Sequence, residues 1–119
     1  MVIVDLEYSW NLNHQDLPSN ITELVPIGSI QSDPFDDNNH GTAVLGEMVR
    51  LNNGWGTTGA AYGATVAVAP TSLDGLWRFD LAMSNALLQL SPGDIILIEQ
   101  QTVGPNYTSQ QGQKGLVAG

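Results

Sequence analysis

The sequence predicts an α/β fold in which a parallel sheet carries helices on both faces, forming three layers. Residues 2–5, 64–69 and 94–98 are short apolar segments bounded by turn-forming residues, which is typical of buried strands. Two segments with an apolar repeat of three to four residues separate these strands. Strands that alternate with helices pair in parallel through right-handed crossovers, and helices then cover both faces of the sheet.

The first strand ends in a carboxylate, and a long polar segment separates it from the first helix. Val2-Ile3-Val4 is apolar and runs into Asp5. Residues 6–24 mix Asn, Pro, Asp and aromatic residues, which predicts a loop with at most one helical turn. Residues 25–30 predict an edge strand, because Pro26 has no N–H to give to a central ladder.

The first helix is predicted from about His40 to about Leu51. Asn38 or Asn39 precedes it, and an Asn side chain accepts hydrogen bonds from the first free N–H groups of a helix. The apolar stripe of this helix repeats at i, i+4 and i+7 and consists of Val44, Met48 and Leu51.

The second half of the chain repeats the same pattern of strand, helix and strand. The β-branched, apolar strand over residues 64–69 ends at Pro70, and a loop at Asp74-Gly75 follows. The apolar repeat over residues 76–90 predicts the second helix. Residues 94–98 are apolar almost throughout, which is typical of a parallel strand covered on both faces.

Composition excludes several classes of function. The chain has 119 residues, at most one modest domain, and its formal net charge is −9 with only three basic residues. It has no basic stripe, so nucleic acids and anionic membranes are not expected partners. The absence of Cys excludes disulfides, thiolate metal sites and a cysteine nucleophile. Neither a membrane-spanning apolar run of about 20 residues nor a signal peptide is present in the sequence.

The predicted topology brings polar side chains to one edge of the sheet. Asp5 and Glu99 stand at the carboxyl ends of predicted strands, and His40 stands at the start of a helix. In open parallel sheets the functional crevice lies at the carboxyl ends of the strands, which the helix N-termini also face. The sequence therefore predicts that Asp5 and His40 lie close together. His14 has no such context and is expected to be a surface loop residue.

Two segments carry a family resemblance. Asp5-Leu6-Glu7 and His40-Gly41-Thr42-Ala43-Val44 resemble the first two signatures of the subtilisin-like serine proteases (subtilases), in the chain order of that family. The likeness continues through residues 52–61, 64–70 and 94–98, and so spans most of residues 2–105. It implies a subtilisin-like three-layer fold and a serine endopeptidase in which Asp5 orients the imidazole and His40 is the general base.

The third signature of the family, Gly-Thr-Ser-x-Ala or Gly-Thr-Ser-x-Ser around the nucleophile, is absent. A subtilase catalytic domain is also much longer than this chain. The resemblance therefore implies that residues 1–119 are the amino-terminal portion of such a domain, incomplete and inactive alone. It further implies a polypeptide substrate and secretion. An incomplete sheet leaves the strand over residues 95–98 with an open edge, which predicts self-association.

By the same resemblance, Glu99, Gln100 and Gln101 stand where main-chain groups pair with an extended substrate. Asp74-Gly75 falls where the other strand that flanks the substrate is expected. A plain edge strand at residues 99–101 is an equal alternative.

Three further hypotheses stay open. The loop of Asp33, Asp36, Asp37 and Asn38 offers oxygen ligands for a structural calcium ion, although its spacing does not match an EF-hand and a solvated acidic loop is favoured. A metal-dependent hydrolase built on Asp5, Glu7, His14 and His40 lacks the His-Glu-x-x-His spacing. The chain is alternatively a non-catalytic peptide-binding or assembly module derived from the same fold.

Overall fold

The structure is a computed structural model and describes residues 1–51, 59–61, 63–102 and 117–118, with only the backbone of residues 101–102 and 117–118. Two helices lie in the described residues, α1 over Asn39–Val49 and α2 over Phe79–Gln89. The strands in chain order are β1 Val2–Glu7, β2 Thr22–Glu23, β3 Thr65–Pro70, β4 Ser72–Leu73, β5 Leu76–Trp77, β6 Ile95–Ile98, β7 Gln101–Thr102 and β8 Val117–Ala118. Neither helix of the described residues is long and apolar enough to cross a membrane.

The main sheet has four strands in the order β2-β3-β1-β6, and every neighbouring pair is parallel. The strand β1 is central: Asp5 stands opposite Val68 of β3 on one side and opposite Leu97 of β6 on the other. The predicted parallel α/β sheet is thus confirmed, with the strands near residues 2–5, 64–69 and 94–98 in their expected places.

Helices cover the two faces of the sheet because successive strand side chains point to opposite faces. On one face Ile3 of β1 packs in a cluster with Leu45 and Val49 of α1. On the other face Val4 of β1 packs with Ala82 of α2. Each face therefore has its own apolar core, and the described residues form three layers.

Asp5 and Glu7 share the α1 face with Ile3, since the three residues alternate along β1. Both carboxylate residues are buried, with Asp5 fully so. Buried carboxylates are rare without partners. They stand toward the carboxyl end of β1, beside the start of α1. This end of the strand positions the candidate site.

A two-stranded hairpin follows β3. The strands β4 and β5 are antiparallel and are joined by Asp74 and Gly75, which have φ values of 53° and 78°. Positive φ at both central residues is the geometry of the type I′ turn, for which Asp-Gly is a preferred sequence. Leu76 and Trp77 are therefore strand residues, and α2 begins later than the apolar repeat predicts. The strands β7 and β8 also pair in antiparallel fashion.

The prediction of an edge strand over residues 25–30 is wrong. Gly28 has a φ of 86°, and the Ser29 N–H donates to the Pro26 carbonyl at 3.0 Å, so this segment forms a turn. The strand at this edge of the sheet is β2, which pairs with β3 through Thr22 and Glu23. A two-residue strand has no periodicity of its own, and its position depends on the neighbouring strand.

The buried side of α1 also differs from the predicted stripe. It consists of Gly41, Val44, Leu45 and Val49. Leu51 lies beyond the end of the helix and is 37% exposed. Asn38 occupies the N-cap position without a side-chain hydrogen bond to the helix, and its carbonyl oxygen instead accepts the Thr42 N–H at 3.1 Å. The last strand, β6, is covered less than expected, because it is the outer strand of the described sheet and Ile95 is 43% exposed.

Candidate active site

A cleft of about 460 Å³ opens where β1 ends and α1 begins. It combines carboxylates, one imidazole and two aromatic rings. Its lining residues are Glu7, Tyr8, Ser9, Phe35, Asp37, His40, Gly41, Glu99 and Gln100. The sequence prediction of a crevice at the carboxyl ends of the strands therefore corresponds to a cavity in the structure.

His40 is the second residue of α1, and its side chain is 62% exposed. Its Nδ1 atom lies 2.9 Å from Oε1 of Glu7, whose side chain is only 4% exposed. The contact has the distance of an ion pair, but it is not a hydrogen bond, and Oε1 has no hydrogen-bond partner among the described residues. An exposed imidazole thus stands directly against a buried carboxylate.

Hydrogen bonds to its main chain, as well as burial, hold Glu7 in place. Its carbonyl oxygen accepts the backbone N–H of Thr71 at 2.9 Å and the Thr71 hydroxyl at 3.3 Å. These bonds fix the last residue of β1 against the residue that follows β3. The carboxylate that meets His40 therefore projects from a rigid strand end.

Asp5 has a different partner. The indole N–H of Trp10 donates to Oδ2 of Asp5 at 2.8 Å, and Oδ1 of Asp5 has no hydrogen-bond partner among the described residues. The structure brings Asp5 and His40 to the same end of β1, where the charge of His40 acts on Asp5. The residue in contact with His40 is Glu7, and the pairing of Asp5 with His40 stays a prediction.

Both carboxyl groups are poised to exchange protons near neutral pH. Burial raises the pKa of Asp5 to about 7; the Trp10 hydrogen bond opposes this rise, whereas the charges of Glu7 and Glu99 add to it. Burial and, next, the charge of Glu99 raise the pKa of Glu7 to about 7. Such shifts are typical of groups that take part in proton transfer, although structural ion pairs also produce them.

Gly41 allows α1 to approach the segment after β1. A Cβ atom at this position would overlap the main-chain oxygen of Ser9 and lie 2.8 Å from Cδ1 of Trp10. Because glycine has no side chain, the first turn of α1 packs directly on this backbone and on the indole ring. The close approach sets the position of His40, the preceding residue.

Of the three residues predicted to flank a substrate on the β6 side, the structure places Glu99 and Gln100 in the cleft. Glu99 is exposed, while Gln100 is buried and donates from Nε2 to the Thr71 hydroxyl at 2.7 Å. Gln101 opens β7, and its side chain lies outside the described residues. A substrate contact by these three residues stays a prediction.

Asp74 and Gly75 do not line this cleft. Oδ1 of Asp74 accepts the Ile30 N–H at 3.0 Å, and the Asp74 N–H donates to the Ile30 carbonyl at 2.8 Å. The Gly75 N–H donates to the Ser32 hydroxyl at 3.0 Å. In the structure these residues hold the segment around residues 30–32 against the hairpin, and their predicted substrate contact stays untested.

Hydrogen bonds from nearby donors stabilise the acidic loop that the sequence analysis considered as a calcium site. The Asp33 carboxylate accepts hydrogen bonds from the Ser9 hydroxyl and from the N–H groups of Phe35 and Asp37. Although its partial burial acts in the opposite direction, these bonds lower the pKa of Asp33. No group of three or more His, Asp or Glu side chains suited to a metal ion occurs in the part of the chain that the structure describes. A structural calcium ion stays a prediction.

The contact of Glu7 with His40 and that of Trp10 with Asp5 were not predicted. Glu7 could have been found from the alternation of β1, because residues two apart on a strand share a face. Trp10 lies in a segment without periodicity, so its contact with Asp5 leaves no local signal in the sequence.

A scan against models of known protein families finds no match, and no solved structure matches the chain. The segment of the resemblance at residues 52–58 lies outside the described residues.

Proposed function

We propose that this chain supplies the carboxylate and histidine of a serine endopeptidase centre of the subtilisin-like type. One observation carries the proposal: a buried carboxylate at the carboxyl end of the central strand lies 2.9 Å from the exposed imidazole of His40, at the mouth of a cleft. The parallel sheet with helices on both faces supports a subtilisin-like architecture for the complete protein.

The contact orients the imidazole for general base catalysis. With Nδ1 facing a carboxylate, Nε2 is the ring atom that takes the proton of a serine hydroxyl and later returns it to the leaving amine. The carboxylate holds the required tautomer and stabilises the imidazolium that forms. The exposed ring lies beside the cleft in which the peptide bond would bind.

The nucleophile is the part that these residues do not provide. Ser9 lines the cleft, but its hydroxyl donates to the Asp33 carboxylate at 2.5 Å and the sequence around it is unlike the nucleophile signature. We therefore propose that the attacking serine belongs to a segment beyond residue 119. The substrate is then a polypeptide, and the 119-residue chain alone is inactive.

The test begins with the coding DNA downstream of Gly119. A reading frame with a Gly-Thr-Ser-x-Ala or Gly-Thr-Ser-x-Ser segment is expected. The protein expressed from the longer frame should react with a fluorophosphonate probe and cleave an unstructured polypeptide, and His40→Ala should abolish both activities. The matched control is His14→Ala, which changes the other histidine, in the loop after β1, and should leave labelling intact. Equal labelling of both variants, or a frame without the signature, would refute the proposal.

A non-catalytic peptide-binding module is the second candidate, and the exposed side of β6 favours it. The strand β6 is the outer strand of the described sheet, next to the cleft residues Glu99 and Gln100. An extended peptide adds to such an edge through main-chain hydrogen bonds. This candidate predicts peptide binding without hydrolysis, unaffected by His40→Ala, in the longest protein that the reading frame encodes.

A further inference from the structure

We infer that the cleft beside His40 receives a basic side chain of an extended polypeptide, arginine in particular. The inference rests on the proposed function in one respect, since it takes the occupant of the cleft to be a polypeptide. It adds which side chain the cleft selects, a property that the proposed function leaves open.

The first argument is the charge of the cleft. Three carboxylate residues line it, Glu7, Asp37 and Glu99, and no Lys or Arg lies among its described lining residues. Within the described part of the chain, the two Arg side chains form ion pairs elsewhere, with Asp16 and Asp80. Carboxylates that converge on one cleft create a negative potential there, which attracts a cationic ligand.

The second argument is an unsatisfied acceptor in the wall of the cleft. The Glu7 side chain is only 4% exposed, yet its Oε1 accepts no hydrogen bond among the described residues. The imidazole of His40 lies 2.9 Å away and is charged only when protonated. Burial and, next, the charge of Glu99 raise the pKa of Glu7 to about 7, and a bound cation would offset both effects. A buried acceptor without a donor points to a ligand that donates hydrogen bonds.

The third argument is an exposed aromatic ring beside these carboxylates. Phe35 lines the cleft and is 69% exposed, and Tyr8 supports it edge-to-face with 5.1 Å between the ring centroids. The Phe35 N–H donates to one oxygen of the Asp33 carboxylate at 3.1 Å, and the Asp37 N–H donates to the other at 3.0 Å. One buttressing carboxylate therefore holds the ring and the acidic residue on the same loop.

Arginine matches this combination of groups better than other side chains do. Its planar guanidinium stacks on an aromatic face while its N–H groups donate to carboxylates. Asp37 can accept such a bond: its Oδ1 accepts the Asn39 N–H at 2.8 Å, whereas its Oδ2 accepts none among the described residues. An apolar side chain would pack on Phe35 but would desolvate the carboxylates without giving them a partner.

The test is a peptide titration of the 119-residue chain, followed by ¹H–¹⁵N NMR. Four blocked pentapeptides, identical except for a central Arg, Lys, Gln or Phe, are the probes. Salt at about 0.15 M screens long-range attraction to the net charge of −9. The Arg peptide should bind most tightly, about tenfold more tightly than the Gln peptide, with Lys between them. The amide signals of the cleft residues 35, 37 and 41 should shift.

Matched variants separate the cleft from the net charge. Asp37→Asn should weaken binding of the Arg peptide about two- to fivefold. Asp36→Asn removes the same charge from the neighbouring exposed residue, which does not line the cleft, and should leave binding unchanged. Phe35→Leu keeps an apolar side chain but loses the ring face, and should also weaken binding about two- to fivefold.

Each outcome decides the inference. An Arg preference that Asp37→Asn and Phe35→Leu reduce, and that Asp36→Asn does not, supports it. Equal affinity for the Arg and Gln peptides, tightest binding of the Lys or Phe peptide, or no binding would overturn it. An Arg preference that Asp36→Asn and Asp37→Asn reduce equally reflects net charge alone and also overturns it. If a variant does not fold, the four affinities and the shifted amides of the wild type decide. The proposed function is judged separately, by the downstream reading frame and by probe labelling of the longer protein.

Discussion

The indole N–H of Trp10 donates a hydrogen bond of 2.8 Å to the carboxylate of Asp5, and both side chains are buried. This bond ties the segment that follows β1 back to the strand, beneath the start of α1. Since the second oxygen of Asp5 has no hydrogen-bond partner among the described residues, Trp10 is the main polar support of this buried carboxyl group. The contact explains how a chain with so few basic residues tolerates an acidic group in its core.

Trp10→Phe should destabilise the chain by about 1–3 kcal/mol, because it removes the donor to Asp5 while keeping an aromatic ring. Urea unfolding followed by circular dichroism measures this change. The control is Trp77→Phe, which removes a longer bond of 3.4 Å to Gln100 from a half-exposed ring and should cost less. Equal costs for the two variants would contradict the importance of the Trp10–Asp5 bond.

Gly41→Ala should destabilise the chain by about 1–3 kcal/mol, because its Cβ would collide with the Ser9 backbone and the Trp10 ring. Gly46→Ala in the same helix has nothing within 4 Å of the added carbon, so it should stabilise α1 by about 0.5–1 kcal/mol. Thermal and urea unfolding of both variants measure the two effects: the steric clash at residue 41 and the gain in helix propensity at residue 46. A stabilising Gly41→Ala would show that α1 does not pack as the structure places it.

The free energy of unfolding should fall as the pH rises from 5 to 7. The folded pKa values of Asp5 and Glu7 are about 7 and their ordinary values are 3.8 and 4.5, so in this range the folded state binds more protons than the unfolded state. The loss is on the order of 2 kcal/mol per group. The lowered pKa of Asp33 acts in the opposite direction, but at pH values below this range.

Urea unfolding at pH 5, 6, 7 and 8 measures this dependence. Asp5→Asn should remove the contribution of Asp5, so that the free energy of unfolding depends less steeply on pH, since the amide does not titrate. Stability that rises between pH 5 and 7 in the wild type would show that neither buried carboxyl group has a raised pKa.

Asp74→Ala should cost about 1–3 kcal/mol, because it loses the hydrogen bond from the Ile30 N–H and places at a φ of 53° a residue that adopts positive φ less readily than Asp. Asp74→Asn keeps both an oxygen acceptor and a tolerance for positive φ, and should stay within about 0.5 kcal/mol of the wild type. Chemical denaturation distinguishes the two. An Asp74→Ala chain as stable as the wild type would make a structural role for the turn untenable.

The predicted self-association should depend on the exposed strand β6. Sedimentation velocity should show a larger species at higher concentration, more so in high salt, which screens the net charge of −9. Ile95→Lys places a charge on the 43% exposed strand residue and should suppress association. Ile27→Lys, in a fully exposed turn, is the matched control. A monomer at every concentration would remove β6 as a self-pairing edge.

The sequence determined the order of strand and helix and the parallel sheet, because apolar periodicity is local and crossovers obey a fixed geometry. It also placed His40 at the start of α1 and Asp5 near the end of β1. It missed β2, whose two residues form a strand only through pairing with β3.

Tertiary structure decided which carboxylate meets the imidazole. The position of α1 over the sheet depends on Gly41 packing on Ser9 and Trp10, contacts about 30 residues apart in sequence. With the helix in that place, the buried side chain within reach of His40 is Glu7. A difference of two residues along one strand face is invisible to a sequence pattern, because both carboxylates satisfy the same alternation.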